Sequence, residues 1–230
     1  MLGIIGAMDV EVIKIKERLE NVTVTEKAGM EFYSGRWHGK DVTVVRSGVG
    51  KVNAGICTQI LVDLFHADVI INTGIAGSLK SEINIGDVVL SADALQHDMD
   101  ARGFGYAPGV IPQMKESDFI ADKRLIDLAE KCCREVCPDI NSFTGRIVSG
   151  DQFISDKEKK NQLANDFHGF CTEMEGAAIA QAAYLNHIPF LIIRAISDKA
   201  DDSATMDYPA FEAMAVENSV RLLSAMVENI

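Results

Sequence analysis

Short, unbroken apolar runs alternate along this chain with longer stretches in which apolar residues recur every three or four positions. Leu2–Gly6, Val69–Asn72, Val88–Ser91, Arg146–Ser149 and Phe190–Asp198 are of the first kind; they are brief, bounded by Gly, Pro or polar residues, and predict buried strands. Val10–Leu19, Val49–Phe65, Leu125–Val136, the polar Lys157–Asn165 and the Ala-rich Gly176–Leu185 predict helices. Glu31–Trp37 and Val42–Arg46 stand at hairpin spacing across His38-Gly39-Lys40-Asp41. A final helix carries Phe211, Met214, Ala215, Asn218, Leu222 and Met226 on one stripe, the pattern of core packing. Between His97 and Ser117 the period disappears, and Gly103, Gly105, Pro108, Gly109 and Pro112 predict a long loop, which in a compact domain is either functional or disordered. Strands alternating with helices imply a single α/β layer sandwich over residues 1–230 with a mostly parallel sheet.

Composition narrows the partners. A 230-residue chain that is 47% hydrophobic can bury one sizeable core. Its formal net charge of -12 argues against nucleic acid or an anionic membrane, because phosphate contacts need clustered Lys and Arg. No apolar stretch approaches the roughly 18 residues of a membrane span. Met1–Met8 has no basic segment before it and runs into Asp9 and Glu11, so it reads as a strand rather than a signal peptide. Five cysteines without an export signal point to reduced thiols in a cytoplasm. Cys132, Cys133 and Cys137 share one helix with no second pair at zinc spacing and read as buried thiols, with no metal expected.

Candidate chemistry begins at Phe190–Asp198, where an apolar strand ends by delivering Arg194, Ser197 and Asp198 together. Ligands of α/β sheets bind at such carboxyl ends. Glu11 lies in the first turn after the first strand, where the helix dipole alone would favour a solvated glutamate. Glu175 stands where Thr172-Glu173-Met174 gives way to a small-residue helix. One cleft gathering Glu11, Glu175 and Asp198 accounts for all three carboxylates. Ser47-Gly-Val-Gly-Lys51 is no phosphate loop of the Walker type, since Val45 and Val52 occupy positions that need Gly and Ser or Thr. It remains a Gly-rich turn at a helix start, able to hold an anion or serving only as a turn. Asn72-Thr-Gly-Ile-Ala-Gly77 likewise permits close backbone approach.

Those segments, with Gly3–Glu11, Ser149-Gly-Asp-Gln-Phe-Ile154, Glu173-Met-Glu-Gly-Ala-Ala178 and Arg194–Asp198, resemble in order the motifs of the bacterial 5'-methylthioadenosine/S-adenosylhomocysteine nucleosidases. The resemblance implies a single three-layer α/β/α domain around a mixed, mostly parallel twisted sheet, and a homodimer that needs no cofactor, acting on a small nucleoside. It assigns Asp198 as the acid at adenine N7, Glu11 as the group that activates water, and Glu175 as the partner of the ribose hydroxyls. Phe153 and Ile154 would hold the adenine, with Ala76, Gly77 and Glu173 among the substrate-binding positions. Ser197 would orient Asp198, and Arg194 would support the ribose side. Met8, Val49 and Met174 would line the 5'-thio pocket, while Phe104, Tyr106 and Pro112 match positions that close it, some from the neighbouring subunit. For Asp198 to donate at neutral pH its pKa must rise well above about 3.9.

Two other readings stay open at this point. A phosphorylase, or a futalosine- or adenosine-type nucleosidase, of the same superfamily would cleave the same bond; a non-catalytic adenosine-binding protein would not need Glu11, Glu175 and Asp198 together. Ile75 departs from the small polar residue of many relatives, which removes a polar contact that a phosphorylase could use.

Overall fold

The computed structural model describes residues 1–201 and 204–230, with the backbone alone over 205–210. In chain order the elements are β1 (Leu2–Gly6), α1 (Asp9–Lys16), β2 (Glu20–Lys27), β3 (Met30–Trp37), β4 (Lys40–Arg46), α2 (Lys51–Phe65), β5 (Val69–Ser78) and β6 (Val88–Gln96). They continue as β7 (Phe119–Ile120), α3 (Lys123–Val136), β8 (Ser142–Ser149), α4 (Lys157–Asp166), β9 (Cys171–Glu173), α5 (Gly176–Leu185), β10 (Phe190–Asp198) and α6 (Ala204–Asn229). Helices cover both faces of the sheet: α6 packs on β10 and β5 beside α1 and α3, and α2 packs against α5 on the other side. The predicted α/β/α layering is what the chain adopts.

The sheet is mixed, and one end closes on itself. β1 pairs in parallel with β4 and β5, and β5 pairs in parallel with β10. β10 meets β6 antiparallel, β6 meets β8 in parallel, β8 meets β9 in parallel, and β9 returns antiparallel to β5 at Gly77–Ser78. Five strands thus form a ring, from which β1, β4, β3 and β2 extend as an open wing. All nine residues of β10 are buried, as a strand enclosed by neighbours and by helices on both faces must be.

Several elements differ from their sequence signal for physical reasons. β5 does not stop at Thr73-Gly74; pairing with β10 carries it on through Gly77. β6 and β8 likewise extend to Gln96 and back to Ser142, where pairing outruns the apolar run. β2 has only the short alternation Val22-Thr-Val-Thr25, and all eight of its residues are exposed; the backbone ladder to β3 specifies it. α2 starts at Lys51 because Gly50 adopts φ 98°, a conformation open mainly to glycine. On α6, Ala215, Asn218, Leu222 and Met226 are buried as the stripe predicts, but Phe211 and Met214 are 37% and 44% exposed, because the start of that stripe projects past the layer it covers.

The main core fills the space between the sheet and both helix layers. A second, smaller cluster of Leu79, Leu95, Val148, Ile154, Leu163, Phe167 and Ala200 lies under α4, against the strand ends of the ring. All five cysteines are buried free thiols. Among the described residues no helix is long and apolar enough to cross a membrane, and no group of His, Cys, Asp and Glu is arranged to hold a metal ion.

Candidate active site

The carboxyl ends of β1, β5, β9 and β10 open into one cavity of about 420 Å³. Glu11 enters from the first turn of α1, and its Oε2 accepts hydrogen bonds from the amides of Ala7 at 2.6 Å and Met8 at 2.9 Å. Met8 is the N-cap of α1 and Glu11 its third residue, so the side chain caps its own helix. Its Oε1 reaches across to the Ile75 amide at 3.3 Å on β5. Burial pushes this carboxyl above the ordinary carboxylate range, against the pull of Arg194 and of those three amides.

Arg194 lies under the cavity floor, 1% exposed, and anchors the carboxylates. Its Nη2 donates to Asn72 Oδ1 at 2.6 Å and to Glu173 Oε2, and lies 3.7 Å from Glu175 Oε2. Gly74 makes room for this: a Cβ there would fall 2.6 Å from Glu11 Oε1 and closer still to Arg194 Nη1. Both oxygens of Glu173 are engaged, Oε1 by the Ser149 hydroxyl and Oε2 by Arg194 and the amides of Gly176 (2.7 Å) and Glu175 (3.2 Å). Glu175 opens α5 and accepts from the Gly50 amide at 2.9 Å. Burial first, then the negative charge of Glu173, push its carboxyl up to about 7, with Arg194 and the Gly50 amide pulling the other way.

Asp198 closes β10 just past an irregularity in its pairing with β5, and is 2% exposed. The Ser197 hydroxyl donates to its Oδ2 at 2.8 Å, and the Ala200 amide donates to Oδ1 at 2.7 Å. Its register partner on β5 is Gly77, where a Cβ would sit 2.8 Å from Asp198 Oδ1. The Gly-rich turn resolves in an informative way. Its amides do bind anions, and the anions belong to the chain: Gly50 holds Glu175, and Lys51 holds Asp151 at 2.8 Å.

Of the residues singled out in the sequence, Met8, Glu11, Val49, Ala76, Gly77, Phe153, Glu173, Met174, Glu175, Ser197 and Asp198 line this cavity. Ile154 lines a small recess opening beside it. Phe104, Tyr106 and Pro112 do not line the cavity of their own chain; Phe104 is 86% exposed on the loop after β6. Sequence reasoning passed over Asn72, Ser149 and Thr172 as functional positions, although each sits inside a quoted motif. A polar residue at the buried end of an apolar strand is the signal that marks all three.

The phosphorylase superfamily model matches residues 1–228. The chain is 42% identical over 231 residues to the 5'-methylthioadenosine/S-adenosylhomocysteine nucleosidase of Staphylococcus saprophyticus, covering all of both chains. It is similar to the crystal structure of the Neisseria meningitidis 5'-methylthioadenosine/S-adenosylhomocysteine nucleosidase in complex with methylthio-immucillin-A, with TM-score 0.95, 36% identity, and coverage of 100% of this chain and 99% of that one. The native futalosine hydrolase of Helicobacter pylori matches with TM-score 0.94 and 32% identity, covering 100% and 97%. With two-fifths identity over its whole length to the first of these and the superfamily model matched over residues 1–228, the chain belongs to the 5'-methylthioadenosine/S-adenosylhomocysteine nucleosidase family of the phosphorylase superfamily.

Proposed function

We propose that this chain hydrolyses the N-ribosidic bond of 5'-methylthioadenosine and S-adenosylhomocysteine, releasing adenine and the 5-substituted ribose. The observation that carries this reading is the charge of the cleft. Glu11, Glu173 and Glu175 converge on one buried guanidinium, and the nearby backbone amides already hold carboxylates. Cleavage builds positive charge on the ribose and negative charge on the departing purine, so carboxylates near the sugar and an acid at the base lower the same barrier. Glu11, held by three amides, is placed to orient and deprotonate water. Asp198, fixed by Ser197 and the Ala200 amide, would protonate or hydrogen-bond N7. Glu175 would receive the ribose hydroxyls, with Met174 packed on the sugar, and Arg194 keeps the carboxylates in register from below.

A phosphorylase would have to seat a phosphate where Glu11 stands. Like charges about 4 Å apart repel by roughly 4 kcal/mol at an effective dielectric near 20. Water meets no such barrier. We also infer that two copies work together. Val49, Val52 and Ile56 around the start of α2 and Leu185 at the end of α5 are 45–72% exposed on adjoining helices, and Phe104 stands free of its own cavity. A second copy on that face would cover these residues and bring Phe104 and Tyr106 to the other chain's cleft. Adenine release from methylthioadenosine, assayed with and without inorganic phosphate, tests the reaction. Equal rates and free thioribose are expected; phosphate dependence or a ribose 1-phosphate product overturns it.

A further inference from the structure

Thr172 is the one member of the cavity wall, among the described residues, whose buried side-chain polar atom has no hydrogen-bond partner. It is 5% exposed and lies on β9, flanked in register by Val148 on one side and Gly77 on the other. Residues paired across a sheet point to the same face, so Thr172 shares the face of Asp198, which pairs with the same Gly77. A buried hydroxyl without a partner is costly, and such groups are almost always satisfied. What satisfies this one enters through the cavity.

The position of Thr172 says which part of a substrate that is. It lines the recess shared with Phe153, Ile154, Gly77 and Asp198, in which neither Glu11 nor Glu175 takes part. Gly77 pairs with Asp198 on β10 and with Thr172 on β9, so the two polar side chains flank a residue that has none. Two strand spacings separate them, about 10 Å between Cα atoms. That gap admits a flat bicyclic base held by a hydrogen bond at each opposite edge.

We propose that the Thr172 hydroxyl donates a hydrogen bond to N3 of the adenine, opposite the edge that Asp198 grips. The inference rests on the adenine-releasing function proposed above, with Asp198 at N7 and the Ile154 backbone along the amino edge. N3 is then the ring acceptor left without a partner. As the bond to the ribose breaks, negative charge spreads over the base nitrogens, and a donor at N3 binds the departing base more strongly than the intact nucleoside. Thr172 is thereby a specificity-determining residue for a base with nitrogen at position 3.

The test compares binding of adenine and 3-deazaadenine, by isothermal titration calorimetry, to the full chain and to its Thr172→Val and Thr172→Ser variants. Thr172→Val keeps the shape and removes the donor. Adenine affinity is expected to fall about tenfold in Thr172→Val and to be largely kept in Thr172→Ser, while affinity for 3-deazaadenine changes little in either. Equal losses for both bases in Thr172→Val would make the residue structural and overturn the proposal, as would no loss for either. The parent reading fails separately: wild-type protein that releases no adenine from methylthioadenosine refutes the nucleosidase function, whatever Thr172 does.

Discussion

Glu175 changes charge near neutrality because its carboxyl is buried beside Glu173 and titrates at about 7. Unfolded, it titrates near 4.5, so between those values the folded chain binds more protons than the unfolded one. Stability therefore falls as pH rises from about 4.5 to 7 and levels off above; Glu11, also raised, acts in the same direction. Thermal melts from pH 5 to pH 8 are expected to show a declining Tm, and Glu175→Gln to flatten the decline. A wild-type Tm that climbs across that window would contradict a carboxyl raised by burial and by Glu173. The reaction makes a sharper demand on Glu11 and Asp198. Glu11→Gln and Asp198→Asn should each lower turnover by about 10²- to 10⁴-fold while circular dichroism stays unchanged, and near-normal rates would mean the roles are misassigned. All three carboxylates were legible in the sequence because each stands where an apolar run or small-residue helix begins or ends. The pairing of Gly50 with Glu175 was not, since the partners are 125 positions apart and a glycine amide leaves no mark in the sequence.

β5 is the element on which the site is assembled. Its second half brings Gly74 against Arg194 and Glu11 and Gly77 against Asp198, with no side chain at either contact. Gly74→Ala is the informative change, because the new Cβ would overlap the Arg194 guanidinium and the Glu11 carboxylate, both fixed by other bonds. Displacing a buried ion from its partners typically costs about 3–5 kcal/mol. A Tm lower by roughly 10 °C and loss of turnover are expected from differential scanning calorimetry and adenine-release assays. A stable, active Gly74→Ala protein would show that the guanidinium can move without consequence. From sequence, β5 ended at Asn72, because Thr73-Gly74 carries turn chemistry. Long-range pairing with β10 and β9 overrides that local preference, and a local pattern holds no information on it. β2 escaped notice for the opposite reason: exposed on every residue, it offers only Val22 and Val24 as a hydrophobic period.

For the whole molecule, the dimer proposed above would tie assembly to chemistry through the apolar face formed by α2 and α5. Val52 is 72% exposed and lies outside the cavity, so Val52→Glu should leave each fold intact while opposing association. Sedimentation velocity is expected to find a dimer for the wild type and a monomer for the variant, with turnover falling as Phe104 and Tyr106 lose the neighbouring cleft. A monomeric wild type, or a monomeric variant of full activity, would refute the arrangement. The layered α/β architecture was readable from the alternation of runs. The strand ring was not, because closure depends on which strands meet rather than on what each contains. That ring also decides where the protein is vulnerable. Its five strands complete one another's backbone ladders, so the long row of unpaired amides and carbonyls among the described residues runs along β2, at the far tip of the open wing. Glu20, Glu26 and Lys27 flank that strand and Asn21 adopts a left-handed turn within it, features that discourage edge-to-edge stacking. Polymerisation through this sheet would start three strands away from β1, the nearest strand of the catalytic cleft, and charge-neutralising changes on β2 would make aggregates whose active sites stay folded.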